Sequence, residues 1–218
     1  MTQNLYTRPT PAASTKLFAY APEAFQAFGE FNKQTFAEGA LTVKVKEYIA
    51  VAAAHITGCP YCIEAHVGKA KGQEATFEEL LEAVAVGAAI NAHSAFYNSI
   101  HTWNAYNEEA NTELYALDHI ERIERLEETN EGLYTSFVEY INRTLVPERI
   151  GVKDKFLIAV GASHVTGNAY SIEIFTRKAK AEGVTLEELA ETILVASALK
   201  AGAAIAHRVN ALAAYERE

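Results

Sequence analysis

No basic run or stripe occurs anywhere in these 218 residues, and the formal net charge is −9. That balance argues against nucleic acid and anionic membrane as partners and favours solubility. Nothing in the chain approaches the roughly 20 consecutive apolar residues needed to cross a bilayer. Residues Met1 to Ala13 are polar, with Pro9 and Pro11, and lack the charged start and apolar centre of a signal peptide. A cytoplasmic location is therefore the default expectation. Strand-like alternation of apolar and polar residues between turns is missing as well. Cysteine is scarce, with two in the whole chain, so no disulfide framework holds it. At this length a hydrophobic core suffices, in one large domain or two small intertwined ones. What is present is ordinary for a soluble globular protein: 50% hydrophobic and 22% charged residues,.

The two cysteines stand three apart, in Cys59-Pro60-Tyr61-Cys62. A disulfide closing so short a loop constrains the unfolded chain little. In a reducing compartment such a pair is more often catalytic, redox-sensing or metal-binding than structural.

The chain also repeats itself, at a constant offset of 109 residues that carries Val43 onto Val152. Ile49-Ala50-Val51 returns as Ile158-Ala159-Val160, His55-Ile56-Thr57-Gly58 as His164-Val165-Thr166-Gly167, and Thr76-Phe77-Glu78-Glu79-Leu80 as Thr185-Leu186-Glu187-Glu188-Leu189. Upstream, Phe25 pairs with Tyr134 and Phe28 with Phe137. About half the positions from Val43 to Ala70 are identical in the second copy, without a gap. A duplicated unit follows.

Each copy reads as helices, so the fold class expected is all-α, a tandem duplication of one helical repeat. Phe25, Phe28 and Phe36 fall at helical spacing in the segment near 22–37,. Residues 43–57 are alanine-rich and apolar all round, which predicts a buried helix. Gly58 suits the left-handed position past its end, and Pro60 the first turn of the next helix. Thr76 with Glu79 forms a capping-box signature opening a long helix to about residue 100, and Thr185 with Glu188 repeats it. Four segments are expected: an N-terminal extension (1–20), a first repeat (21–103), a connector (104–130) and a second repeat (131–218). The connector, highly charged from Glu121 to Glu128, reads as a solvated helical link or, less favoured, a partner-binding face.

Glu47, Cys59, Cys62 and His66 make the pattern E-x11-C-x2-C-x3-H. Cys62 and His66, at i and i+4, share a helix face. Cys59 falls at the helix N-terminus, where amide groups and dipole favour a thiolate. Glu47, on the preceding helix, reaches His66 if the two helices pack antiparallel, which is acid–base–nucleophile logic. The same residues admit other chemistry. His55, Cys59, Cys62 and His66 are all zinc ligand types, although positions 55 and 66 lie about 16 Å apart on continuous helix. C-x2-C alone also fits thiol–disulfide exchange, without the usual βαβ surroundings. A helical interaction scaffold with incidental cysteines is the plainest alternative.

From Lys46-Glu47 through Gly58-Cys59-Pro60-Tyr61-Cys62-Ile63-Glu64-Ala65-His66 the chain resembles the AhpD-like alkylhydroperoxidases of the carboxymuconolactone decarboxylase superfamily. That resemblance implies that Cys62 attacks peroxide, Cys59 resolves the sulfenic acid, His66 acts as base and Glu47 supports it. It implies no bound cofactor or metal, a hydroperoxide substrate, an external dithiol or protein reductant, and a homo-oligomer, with a trimer natural for a fused pair. Decarboxylation of a lactone is the other chemistry in the superfamily's name. Tyr61 stands where a histidine precedes the second cysteine in some relatives, and either donates a hydrogen bond or packs. In the second copy Glu47 becomes Phe156, Cys59 becomes Asn168, Cys62 becomes Ser171 and His66 becomes Phe175. Four positions lost as a set point to four that worked as a set. His55 and Glu64 persist as His164 and Glu173, so both read as structural, His55 through a buried hydrogen bond. His93 and His101 lie on the long helix, where either could line the site, though packed or solvated roles are commoner.

Overall fold

The computed structural model describes residues 16–107 and 115–216, and no strand occurs among them. The expected N-terminal extension falls largely outside the described residues. In the first repeat the helices are α1 (Pro22–Thr35), α2 (Val43–Thr57), α3 (Pro60–Gly72), α4 (Phe77–Tyr97) and α5 (Ser99–Tyr106). Next come α6 (Asp118–Glu124) and a 3-10 turn over Arg125–Glu128. The second repeat holds α7 (Glu131–Leu145), α8 (Val152–Thr166), α9 (Ala169–Ala181), α10 (Leu186–Ala206) and α11 (Arg208–Tyr215).

The helix boundaries follow from local chemistry. Thr42 caps α2 by accepting the Val45 amide. Gly58 ends it at φ 64°, a left-handed conformation that glycine adopts without a Cβ penalty,. Its counterpart Gly167 ends α8 at φ 74°. Thr76 and Glu79 close a reciprocal capping box at the start of α4, and Thr185 and Glu188 do so at α10,. The long helix stops at Tyr97, where Asn98 turns the chain into α5.

The repeats are interleaved. Helix α2 packs against α8 at the centre, and both are buried almost all round, from Lys46 to Ala54 and from Lys155 to Ser163. At their crossing a Cβ on Gly161 would lie 2.6 Å from Ile49 Cγ2, so only glycine permits this approach. Helix α4 packs on α2 of its own repeat and on α7, α8 and α9 of the other. Helix α10 reciprocates, lying on α8 and on α1, α2 and α3. Two ion pairs tie this exchange at equivalent places. Lys46, 2% exposed, meets Glu191 at 2.9 Å, and Lys155 meets Glu82 at 2.9 Å. Each carboxylate also accepts two backbone amides, those of Ala40 and Leu41 for Glu191 and those of Arg149 and Ile150 for Glu82. Burial alone would raise the Glu191 carboxyl; the Leu41 amide, Lys46 and the Ala40 amide outweigh it and hold it below the usual range,.

Two expectations need correction. The connector is not simply solvated: His119 and Ile123 of α6 are buried, and Ile123 joins Tyr97, Ile100 and Tyr170 in a small second core. Its charges face outward while every third or fourth side chain packs, as an amphipathic helix does. Secondly, the stretch Leu186–Tyr215, with mean hydropathy 1.5 over its most apolar window, is long and apolar enough to span a membrane by length and composition. Its apolar character has a partner inside the protein, because α10 covers the core helices of both repeats.

Candidate active site

Cys59 is the N-cap of α3, where its sulfur accepts the Cys62 amide at 3.3 Å. Pro60 at the first helical position has no amide to satisfy, so the turn forms at no hydrogen-bond cost. One turn of helix brings the two sulfurs to 2.7 Å, and both are buried, Cys59 fully and Cys62 at 7% exposure. Burial, with the Cys59 thiol alongside, pushes the Cys62 thiol up to about 12,.

One further turn along α3 lies His66, also buried. Helices α2 and α3 pack together, and Glu47 of α2, 1% exposed, reaches across with Oε2 2.7 Å from His66 Nδ1. An ionised carboxylate only accepts, so Nδ1–H donates to it and Nε2 is left as the basic nitrogen. The ring of Phe36 lies at 5.1 Å from the imidazole, and the Lys69 ammonium stands over Phe36 at 5.2 Å. Among the described residues no direct hydrogen bond joins His66 to either sulfur, so a proton passing between them needs the substrate or a water as carrier. The arrangement is a buried dithiol one helical turn from an oriented base, suited to two-electron thiol oxidation and disulfide formation.

The four residues of the sequence pattern thus converge. His55 does not join them. It is exposed, and its Nδ1 pairs with Val51 O at 2.8 Å, as His164 does with Val160 O at 2.9 Å. The predicted structural hydrogen bond exists, but on an exposed face rather than a buried one. Among the described residues no three His, Cys, Asp or Glu side chains group to hold a metal ion. His101 is exposed. His93 is buried against the second repeat, where its Nδ1 meets Ser171 Oγ at 2.8 Å and its ring stacks on Tyr97 at 4.0 Å. Burial, aided by Lys178, lowers His93 to about 3. Tyr61 reaches out of its own repeat: its hydroxyl donates to Asn210 Oδ1 at 3.2 Å, and its ring meets His207 edge-on at 5.4 Å. His207 and Asn210 carry no motif. The 109-residue offset equates them with Asn98 and His101, but only the crossing of α10 places them at the first repeat's site.

Residues 22–106 and 131–214 each match the carboxymuconolactone decarboxylase family. The chain belongs to the carboxymuconolactone decarboxylase family. Within sequence relatives it is 47% identical over 70 residues to uncharacterized protein 4 in the cox locus of Paracoccus denitrificans, covering 32% of this chain and 63% of that one. It is 40% identical over 65 residues to an uncharacterized protein of Cupriavidus necator, covering 30% and 58%. The chain thus spans about three-fifths of the length of the curated relatives it matches. A crystal structure of a candidate gamma-carboxymuconolactone decarboxylase subunit from Burkholderia xenovorans superposes with TM-score 0.66. That match covers 96% of this chain and 93% of the other at 18% identity, which speaks for the family's fold. The family includes decarboxylases and alkylhydroperoxidases.

Proposed function

We propose that this protein is a thiol peroxidase that reduces organic hydroperoxides through Cys59 and Cys62. The observation that carries the reading is the Glu47–His66 pair, at 2.7 Å, buried one helical turn from two sulfurs that are themselves 2.7 Å apart. A thiol held as high as about 12 does not ionise unaided at neutral pH, so an oriented base beside it has work to do,. His66 Nε2 takes the Cys62 proton through a carrier as the sulfur attacks the terminal peroxide oxygen. The O–O bond breaks, the alcohol leaves with that proton, and Cys62 becomes a sulfenic acid. Cys59 then displaces water to form the disulfide, and an external dithiol, small or protein-borne, restores both thiols. The cycle uses no bound cofactor and runs against a reducing cytoplasm. A homo-oligomer, with a trimer favoured, belongs to the same proposal, and exposed Phe77, Leu81 and Leu186 supply apolar surface for it. Light scattering tests that part.

The test reacts fully reduced protein with one equivalent of an organic hydroperoxide and follows both thiols by mass spectrometry. Wild type is expected to lose both thiols, and Cys59→Ser to trap a sulfenic acid at Cys62. Survival of both thiols in excess peroxide refutes the proposal. One observation favours a second reading. Cys59, not Cys62, holds the N-cap position of α3, its sulfur 3.3 Å from the Cys62 amide, which suits thiol–disulfide exchange begun by Cys59. Reduction of a protein disulfide without peroxide consumption would select it.

A further inference from the structure

The dithiol site has an internal counterpart, and the two are roofed differently. Over the second repeat, α4 inserts a closed polar plug. Ser171 Oγ is shared with His93 at 2.8 Å and Ser94 at 3.1 Å, while Asn168 donates to Asn98 Oδ1 at 2.8 Å and to the Ser94 carbonyl. Tyr170, the equivalent of Tyr61, is buried and held by His119 at 2.7 Å. Over the first repeat α10 presents Gly202, Ala203 and Ala206 where α4 carries His93, Ser94 and Tyr97. The plug is gone. Next to Tyr61 what remains is the end of α10, where the helix breaks at His207 before α11. There His207 and Asn210 meet Tyr61, which stands with Pro60 between the two cysteines.

We propose that Tyr61, His207 and Asn210 form a latch at the mouth of the dithiol site, through which the second repeat decides which oxidants reach the first repeat's sulfurs. The identity of that oxidant as a hydroperoxide rests on the function proposed above; the latch does not. Both sulfurs are shielded from solvent, so a bulky electrophile reaches them only when something yields. The elements behind the site do not yield cheaply, since α2 is buried along nine consecutive residues and Glu47 and His66 are locked together. The Tyr61 contacts are of another kind. Where Tyr61 meets the helix corner, they include one neutral hydrogen bond at an exposed position and one edge-on ring pair. Such contacts open locally without loss of the core. Small oxidants pass with the latch shut, whereas alkyl or aryl hydroperoxides need it open.

The experiment uses the full reduced protein and two thiol reagents, iodoacetamide as the small probe and N-benzylmaleimide as the bulky one. Rates are compared for wild type, Tyr61→Phe, Asn210→Ala and the double variant, with circular dichroism as a check on folding. Tyr61→Phe keeps the ring and loses only the hydrogen bond. Each single variant is expected to speed the maleimide by up to about tenfold, the value of one hydrogen bond, and iodoacetamide by much less. The double variant is expected to match either single one. Unchanged maleimide rates, equal acceleration of both reagents, or additive effects in the double variant would overturn the latch. A parallel comparison of hydrogen peroxide with cumene hydroperoxide separates the two proposals. If neither is consumed by wild type, the peroxidase reading fails, while the maleimide result still decides the latch.

Discussion

A carboxylate buried at 1% exposure is costly unless something uses its charge,. For Glu47 that something is the His66 ring, and Glu47→Gln keeps the shape while removing the charge. Its expected effect is a loss of about 10²-fold or more in the rate of Cys62 oxidation, with the fold intact by circular dichroism. Cys62 also has a signature of its own. Its thiol is raised to about 12 in the folded chain, whereas an unfolded thiol ionises near about 8.5,. The stability it contributes is therefore complete below about 8.5 and falls as pH rises toward 12. Urea midpoints of the reduced protein between pH 7 and 10 should decline more in wild type than in Cys62→Ala. His93 works in the opposite sense. Lowered from 6.5 to about 3, it stabilises the fold above 6.5 and loses that contribution as pH falls toward 3,. Wild type should lose a few kcal/mol, about 1.4 for each pH step below 6.5, and His93→Asn should flatten that acid limb. Of these residues the chain itself announced Glu47, Cys59, Cys62 and His66, because spacing and their joint loss in the second copy single them out. His93 was legible only as a histidine on a helix face. Its role depends on Ser171, 78 residues away.

At the scale of elements, caps and glycines carry most of the information. Every helix start marked by a Thr-x-x-Glu pair is where the structure puts it, Gly58 ends the helix it was expected to end, and Gly167 does the same at the equivalent place. The third glycine of consequence, Gly161, was not legible. Its equivalent in the first repeat is Ala52, so the repeat alone suggests that alanine is tolerated. Only the crossing of α2 and α8, with Ile49 Cγ2 at 2.6 Å from the added carbon, forbids it. Gly161→Ala is expected to destabilise by about 1–3 kcal/mol as the crossing is forced apart. The urea midpoint reads this directly, and a paired Ile49→Ala, which removes the Cγ2 that the new carbon meets, should cost less than the two single changes added together,. The connector shows the same limit. Its charge is visible in sequence, but the burial of His119 and Ile123 depends on Tyr170 and Ile100 arriving from elsewhere.

For the molecule as a whole, the exchange of α4 and α10 makes the two repeats one folding unit. The Lys46–Glu191 and Lys155–Glu82 pairs join residues 145 and 73 positions apart by their numbering, and each holds a nearly buried ammonium. Glu191→Ala strands Lys46 with the Ala37 carbonyl alone and frees the Ala40 and Leu41 amides. A loss of about 2–4 kcal/mol is expected, below the range for a fully buried pair because Glu191 keeps some solvent contact. The exposed Arg143–Glu139 pair should show no measurable effect when broken, and thermal melts of both variants check the contrast,. The order of residues by itself determined the helices, the duplication, the family and the four-residue pattern, because caps, periodicity and short spacings act over a few turns of chain. Tertiary structure alone decided that the repeats interleave, that the second repeat's empty site is plugged by the first repeat's helix, and that Tyr61 meets Asn210 across 149 positions. Those outcomes depend on which apolar face packs on which, and no local pattern encodes that choice.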